Sequence, residues 1–529
     1  MSTPRVLVKE KIGDSGVQLL RDAGFDVELG VDWEDGELER RIGEFDGLLI
    51  RSATQLDADL LAKAERLKAV GRAGVGVDNV DVEAATRRGI VVANAAESTV
   101  DSAAEHAIAL LLALARNVPQ AHAALISGTW DRKRFTGIEL AGKTLGVLGL
   151  GRIGRQVAHR ALGLGMRVVA YDPFVSSDRF RELGVEPVSS LDEVYAEADV
   201  VTLHLPLNAE TEGLLDAAAF ERMKNGVRIV NAARGGLIDE DALIAAIRSG
   251  KVAGAALDVF RTEPYTGPLL ELPQVVVTPH LAGSTAEAQD RAGVVIAEQV
   301  AAALDGQVVR TAVNIPVVDP RELELLGPFL PLASKLGRLA VALAGGWPSH
   351  VTVAAHGPLA EHDIRLLTVA ALNGAFQGRV DEVVNEVNAP LIAAERGIGV
   401  SEQRVAAAQH YTNLVRVVVG SDGDELEVAG TTVGPEHRLF LAGALGFSID
   451  IELAPHMAFL SYDDVPGVIG RVGTMFGEAG VNIANMAVSR TTEGGKALMV
   501  FSIDSAAPVE LVERVEDTGF DDVTFVSLG

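Results

Sequence analysis

Thr144-Leu-Gly-Val-Leu-Gly149-Leu-Gly151-Arg-Ile-Gly154 runs directly into Arg155-Gln-Val-Ala-His-Arg160. An apolar run, then G-x-G-x-x-G, then a helix-forming stretch predicts a buried strand that turns tightly into a helix. Gly149 permits the turn, Gly151 lets a pyrophosphate approach the backbone, and Gly154 lets helix pack on strand. Free N–H groups and the helix dipole then favour an anion at the helix start. The next apolar run, Val168-Val-Ala-Tyr171, ends in Asp172, 18 residues after Gly154. A carboxylate there suits ribose hydroxyls and repels a 2′-phosphate, so the expected cofactor is NAD rather than NADP. A bare glycine pattern also arises in structural turns; strand, helix and spaced acid together select the dinucleotide reading.

Outward from this motif, Thr144–Leu148, Arg167–Tyr171, Asp199–Leu203, Arg228–Asn231, Gly254–Leu257 and Gln274–Val277 read as strands, with Arg152–Leu162 a helix. A second series precedes it. There Val6–Val8, Gly47–Ile50, Ala69–Gly71 and Ile90–Val92 read as strands, and Ser15–Ala23, Asp57–Ala64 and Val82–Arg88 as helices. Alternation of this kind means parallel sheets with helices on both faces. Long helical patterns at Ser102–Ile126 and Thr285–Leu304 carry the chain out of the first unit and back. The expected layout is a discontinuous first domain, 1–98 and 282–315, around a second domain, 99–281. Pro316, Pro320, Pro328 and Pro331 then punctuate a boundary. Residues 316–455 read as a mixed α+β intervening domain without a nameable chemical motif. Residues 456–529 read as βαββαβ, the ferredoxin-like order. The fold class is α/β, with two doubly wound parallel-sheet domains of Rossmann or flavodoxin-like type.

A chain of 529 residues suits three or four such units. No uninterrupted apolar run reaches the ~18 residues of a membrane span. The N-terminus lacks the basic-then-apolar plan of a signal peptide, so a cytoplasmic location is expected. Cysteine is absent, which excludes disulfides, thiolate zinc sites and a thiol nucleophile; no metal site is anticipated. The net charge, 46 − 73 = −27, disfavours nucleic acid and anionic membranes. An anionic substrate must therefore be held by local arginines acting against the overall field. Only ten of the 46 basic residues are Lys. A densely acidic, Lys-poor surface suits a salty, halophilic cytoplasm, where screening weakens self-repulsion.

Oxidising a secondary alcohol needs a base for the hydroxyl proton and a cation for a neighbouring carboxylate. Three residues at the C-terminal ends of predicted strands supply these. Arg234 follows Ile229-Val-Asn-Ala-Ala, Glu263 lies beyond Ala255-Ala-Leu-Asp-Val-Phe, and His280 ends Val275-Val-Val-Thr-Pro. Open α/β sheets bind ligands at that edge. Arg matches a carboxylate with its planar fork, and Glu beside His fixes the tautomer. Alone, each has a plain structural reading; His204, His106 and Glu105 are left in that class.

These motifs resemble the D-isomer-specific 2-hydroxyacid dehydrogenases: Gly149–Gly154, Asn231-Ala-Ala-Arg-Gly-Gly236, Leu257-Asp-Val-Phe and Pro279-His280-Leu. Arg51-Ser-Ala-Thr and Gly71-Arg72-Ala-Gly-Val-Gly-Val-Asp78-Asn79 resemble the long branch of that family, which acts on D-3-phosphoglycerate. The resemblance implies that His280 is the acid/base, Glu263 its partner and Arg234 the carboxylate anchor. It implies NAD contacts at Gly149, Gly151, Arg152, Ile153, Gly154, Asp172, Ala232, Ala233 and Asp258. Arg51 and Arg72 would meet the substrate's charged groups. Trp130, Arg132 and Lys133 resemble a loop that reaches a neighbouring subunit's site, which implies a homo-oligomer, dimer or tetramer. Two departures stand out. His280-Leu281-Ala282-Gly283 swaps the family's usual small residues, and Val75 replaces a frequent threonine.

Leu460-Ser-Tyr462-Asp463-Asp464-Val-Pro466-Gly467 and Gly480-Val-Asn482-Ile483 resemble an ACT domain. That implies an amino-acid effector, serine, bound between two subunits by Tyr462, Asp464 and Asn482; a plain dimerisation module is the alternative. In the intervening segment, Lys335 and Arg338 share a helical face that an anion or solvent could occupy. The reading that results is NAD-dependent oxidation of D-3-phosphoglycerate to 3-phosphohydroxypyruvate, first step of L-serine biosynthesis. Its rivals are a glyoxylate or hydroxypyruvate reductase of the same family and a non-catalytic amino-acid sensor.

Overall fold

The glycine-rich strand Thr144–Leu148 lies inside a seven-stranded, wholly parallel sheet. From one edge, the strands run Glu186–Pro187, Arg167–Tyr171, Thr144–Leu148, Val200–Leu203, Val227–Asn231, Val252–Leu257 and Val275–Val277. Thr144–Leu148 and Val200–Leu203 are buried throughout, as expected of strands covered on both faces. Strand order reverses between these two, which opens a crevice at their C-terminal ends. The computed structural model describes residues 3–316, 320–380, 382–407, 410–421 and 424–529. Residues 317–319, inside the anticipated proline-marked boundary, lie outside the described residues.

The first sheet is also parallel, in the order Asp26–Leu29, Arg5–Val8, Gly47–Ile50, Ala69–Arg72, Val91–Asn94. The helix Ala286–Leu304 returns to this sheet. Its Ala292, Ile296, Ala297 and Val300 join Val6, Val8, Leu49 and Ala69 in one core. Asp26–Leu29 is absent from the sequence reading because it is an edge strand with little buried surface.

The long helical pattern Ser102–Ile126 is two helices, Val100–Arg116 and Val118–Ile126, bent by 63°. Pro119 has no N–H for the carbonyl of Ala115. That carbonyl accepts the Ile138 N–H at 2.9 Å instead, and Asn117 takes a left-handed conformation, φ 51°.

The third unit is a mixed six-stranded sheet: Gly399–Val405, His350–His356, Leu414–Ser421, Asp424–Val433, Arg438–Ala444, Phe447–Glu452. The helices Leu330–Ala344 and Arg365–Phe376 pack on it with their backbones nearly touching. A Cβ at Gly337 would lie 1.9 Å from the Ala371 carbonyl oxygen, and one at Gly374 1.8 Å from that of Ser334. By length and composition, the helical stretch Arg321–Ala344 could cross a membrane, a feature the broken apolar pattern of the sequence hides. Half of its most apolar window is buried within the molecule. Leu332, Leu336 and Leu339 sit in one core with Val351, Val353 and Val417.

The last sheet is antiparallel, in the order Ile483–Arg490, Lys496–Ile503, His456–Asp463, Asp522–Ser527, with helices Val468–Glu478 and Val509–Glu516 on one face. Its other face, through Met457, Phe459, Leu498 and Val500, joins the core of the preceding unit. That unit in turn touches the first sheet's domain. Asn385 donates to the Gly89 carbonyl at 2.6 Å, and Arg87 lies 3.6 Å from Glu395.

Candidate active site

A cleft of about 1000 Å³ lies between the first two sheets and is lined by Arg51, Arg72, Ile153, Arg234, Glu263 and His280. A second cavity of about 1050 Å³ lies on the intervening sheet, beside Trp347, Tyr411 and Arg416; no candidate residue from the sequence lines it.

His280 Nδ1 lies 2.8 Å from Glu263 Oε2, and Glu263 Oε1 accepts the Phe260 N–H at 3.0 Å. With Nδ1 committed to the carboxylate, Nε2 is the ring's remaining acceptor for a proton. His280 has φ 54°, and its N–H donates to the Asp258 carbonyl at 2.9 Å.

Arg234 Nε pairs with Asp78 Oδ2 at 3.3 Å, and its Nη1 donates to the Ala233 carbonyl at 2.7 Å. Asn231, almost wholly buried, braces this turn: it donates to the Arg234 carbonyl and accepts from Ala233 N. Burial, then the nearby Arg234 charge, pulls the Arg72 guanidinium below its ordinary value. Among the described residues, the buried Arg72 Nε has no hydrogen-bond partner. A buried donor without an acceptor is costly, and an anion in the cleft would satisfy it. Arg51 is held from behind, because Glu10 accepts its N–H and that of Thr54, each at 2.9 Å.

The glycine turn fits a dinucleotide. Gly149 has φ 91°; a Cβ at Gly154 would lie 2.1 Å from the Gly149 carbonyl oxygen, while one at Gly151 would face open space. The helix Arg152–Gly163 has no side-chain cap, so its first N–H groups are available to a phosphate. Asp172 braces the same turn by accepting Leu150 N at 2.8 Å and Phe174 N at 3.0 Å. Ala232 and Ala233 line the cleft, and the Arg152 side chain pairs with Glu97 at 3.0 Å.

Other candidate residues lie outside the lining of this cleft. Asp258 is wholly buried and away from the cleft lining. Its carboxylate accepts from Thr278 Oγ1 at 2.6 Å, Leu281 N at 2.7 Å and Ala282 N at 2.8 Å. It holds the turn around His280. Burial opposes its ionisation, but these donors and His106 hold its pKa below the ordinary carboxylate value. Trp130, Arg132 and Lys133 lie on an exposed segment that does not line this chain's cleft.

The three effector candidates are likewise separated. Tyr462 is buried in its own domain's core, edge-on to Phe520. Asp464 pairs with Arg490 at 2.9 Å, whereas Asn482 donates to Asp504 at 2.9 Å. Asn482 precedes the strand Ile483–Arg490, and Arg490 ends it. About 25 Å of strand therefore separates the two polar sites within one domain. Lys335 donates to the carbonyls of Gly529 at 2.9 Å and Leu528 at 3.4 Å, so the chain's own last residues meet it.

Sequence reasoning passed over Glu10, quoted Asp78 and Asn79 only as part of a motif, and left His106 in the structural class. Glu10 follows the predicted strand Val6–Val8, the signal that could have found it. Asn79 fixes the loop by donating to the carbonyls of Arg51 at 2.8 Å and Thr54 at 2.6 Å.

Residues 108–282 match the family described as D-isomer specific 2-hydroxyacid dehydrogenase, NAD binding domain. Residues 325–441 match the D-3-phosphoglycerate dehydrogenase intervening domain, and residues 456–520 the ACT domain. The chain is 44% identical over 529 residues to D-3-phosphoglycerate dehydrogenase of Archaeoglobus fulgidus, covering 99% of this chain and 100% of that one. It is 46% identical over 516 residues to the Mycobacterium leprae protein of the same name, covering 96% of each. Among solved structures, the TT0316 protein of Thermus thermophilus superposes with a TM-score of 0.54 at 38% identity. That match covers 58% of this chain and 99% of the other.

Proposed function

The chain belongs to the D-3-phosphoglycerate dehydrogenase family, and on that premise we propose that its cleft oxidises D-3-phosphoglycerate with NAD. The product is 3-phosphohydroxypyruvate, and the reaction is the first step of L-serine biosynthesis. The carrying observation is the His280–Glu263 pair, which shares one cleft with Arg51, Arg72 and Arg234. His280 Nε2 takes the proton of the 2-hydroxyl, and Glu263 stabilises the imidazolium that forms. Arg234 holds the substrate carboxylate, exchanging its contact with Asp78 for it. Arg72 and Arg51 hold the phosphate. The uncapped start of Arg152–Gly163 and Asp172 hold NAD, which when bound supplies the nicotinamide ring that accepts hydride from C2. Ile153, Ala232 and Ala233 shape its pocket, and Asp258 acts by positioning.

A substrate panel tests this reading. D-3-phosphoglycerate should reduce NAD far faster than D-glycerate or D-lactate. A reductase of the same family would favour glyoxylate or hydroxypyruvate and gain nothing from the phosphate.

The same reading extends to domains and assembly. Residues 1–98 with 282–315 form the substrate domain, 99–281 the NAD domain, 316–455 the intervening domain and 456–529 the ACT domain. The protein works in the cytoplasm as a homo-oligomer. Exposed Leu125, Ile126 and Trp130 suit a subunit contact that carries Arg132 and Lys133 towards a neighbour. Two ACT domains paired in opposite directions would bring Asp464 of one to Asn482 of the other and form a serine site. Tyr462, being buried, shapes such a site from below. Calorimetry with serine, on parent and Asp464→Ala, tests this regulation; no heat and no inhibition leaves an assembly module. The acidic, Lys-poor composition supports a salt-adapted enzyme, checked by its activity in low and high salt.

A further inference from the structure

The segment from Thr278 to Thr285, which carries His280, is held at both ends by one face of the helix Val100–Arg116. At one end, His106 Nε2 lies 3.0 Å from Thr278 Oγ1 and 3.2 Å from Asp258 Oδ1. At the other, Ser102 Oγ lies 2.8 Å from Thr285 Oγ1. Residues four apart share a helical face, so one rigid element grips both ends of the segment. Between the grips stands Asp258, with its carboxylate on Thr278, Leu281 and Ala282 and its carbonyl on the His280 N–H. His280 itself holds φ 54°. A side chain with a Cβ rarely adopts that backbone region, and it persists only where the surroundings over-determine it.

The hydrogen-bond inventory gives His106 a definite part. The Thr278 hydroxyl donates its single proton to Asp258, so Thr278 can only accept from His106, and Asp258 can only accept. His106 Nε2 is therefore the donor that closes the triangle. Without it, the Asp258–Thr278 pair loses its hydrogen bonds to the helix. We propose that His106 is a positioning residue of this dehydrogenase, fixing Asp258 and Thr278 and through them the backbone of His280. This rests on His280 being the acid/base.

The test compares His106→Leu, His106→Gln, Thr278→Val and His280→Ala in the full-length chain. Steady-state NADH formation, NADH binding by fluorescence and thermal midpoints are measured for each. His106→Leu should lower kcat about 10- to 100-fold, the scale of a small misplacement of the reacting group. KM for D-3-phosphoglycerate and NADH affinity should stay near the parent's. His106→Gln keeps an N–H donor and should recover most of the loss. Unchanged turnover in His106→Leu overturns the proposal; so does an equal loss in both His106 variants, which marks a packing role. If His106→Leu does not fold, Thr278→Val decides, since it must lower kcat with KM held. Failure of the underlying base assignment shows separately, as turnover retained by His280→Ala.

Discussion

Glu263 is fixed through both carboxylate oxygens, one 2.8 Å from His280 Nδ1 and the other on the Phe260 N–H at 3.0 Å. It therefore dictates which imidazole nitrogen is free for the substrate. Glu263→Gln keeps the shape but removes the charge that stabilises an imidazolium. kcat should fall about 10²-fold or more, with NADH affinity nearly unchanged. Stopped-flow and steady-state assays check this, and near-parental turnover would remove Glu263 from the chemistry.

His204 carries a pH dependence of stability. Burial pushes its imidazole down to about 4, from an ordinary 6.5. Above pH 6.5 neither state binds this proton, and the contribution of the neutral, partly buried ring is fully present. Below it, the unfolded chain takes up the proton while the folded one does not. Stability therefore falls by roughly 1.4 kcal/mol per pH unit until the folded value is reached. Urea unfolding of His204→Asn should show a shallower loss between those two pH values than the parent does. Parallel curves would contradict this.

Much of this architecture was legible in the sequence because buried parallel strands are continuous apolar runs. Thr144–Leu148 and Arg167–Tyr171 have the bounds the sequence predicts. Asp26–Leu29 escaped because an edge strand needs no such run. The bend at Asn117 escaped because Ala and Leu keep helical spacing through Pro119. Arg234, Glu263 and His280 could be grouped because each follows a strand. The partners His106 and Asp258 could not, since 152 positions separate them and only the fold makes them neighbours. The ends of the last sheet that hold Asp464 and Asn482 were likewise invisible without strand register.

Asp172 braces the glycine turn through Leu150 N, just past the strand Arg167–Tyr171. Asp172→Ala should lower kcat/KM for NAD and raise that for NADP, narrowing the preference by at least about tenfold. The ratio of the two cofactor efficiencies is the readout. An unchanged ratio would assign Asp172 to the turn alone.

In the proposed reaction, His280 moves the substrate's hydroxyl proton. His280→Ala, assayed with D-3-phosphoglycerate and NAD beside an NADH titration, tests it most directly. kcat should drop about 10²- to 10⁴-fold while NADH binds as it does to the parent. A variant that binds NADH normally and turns over at a near-parental rate would contradict it.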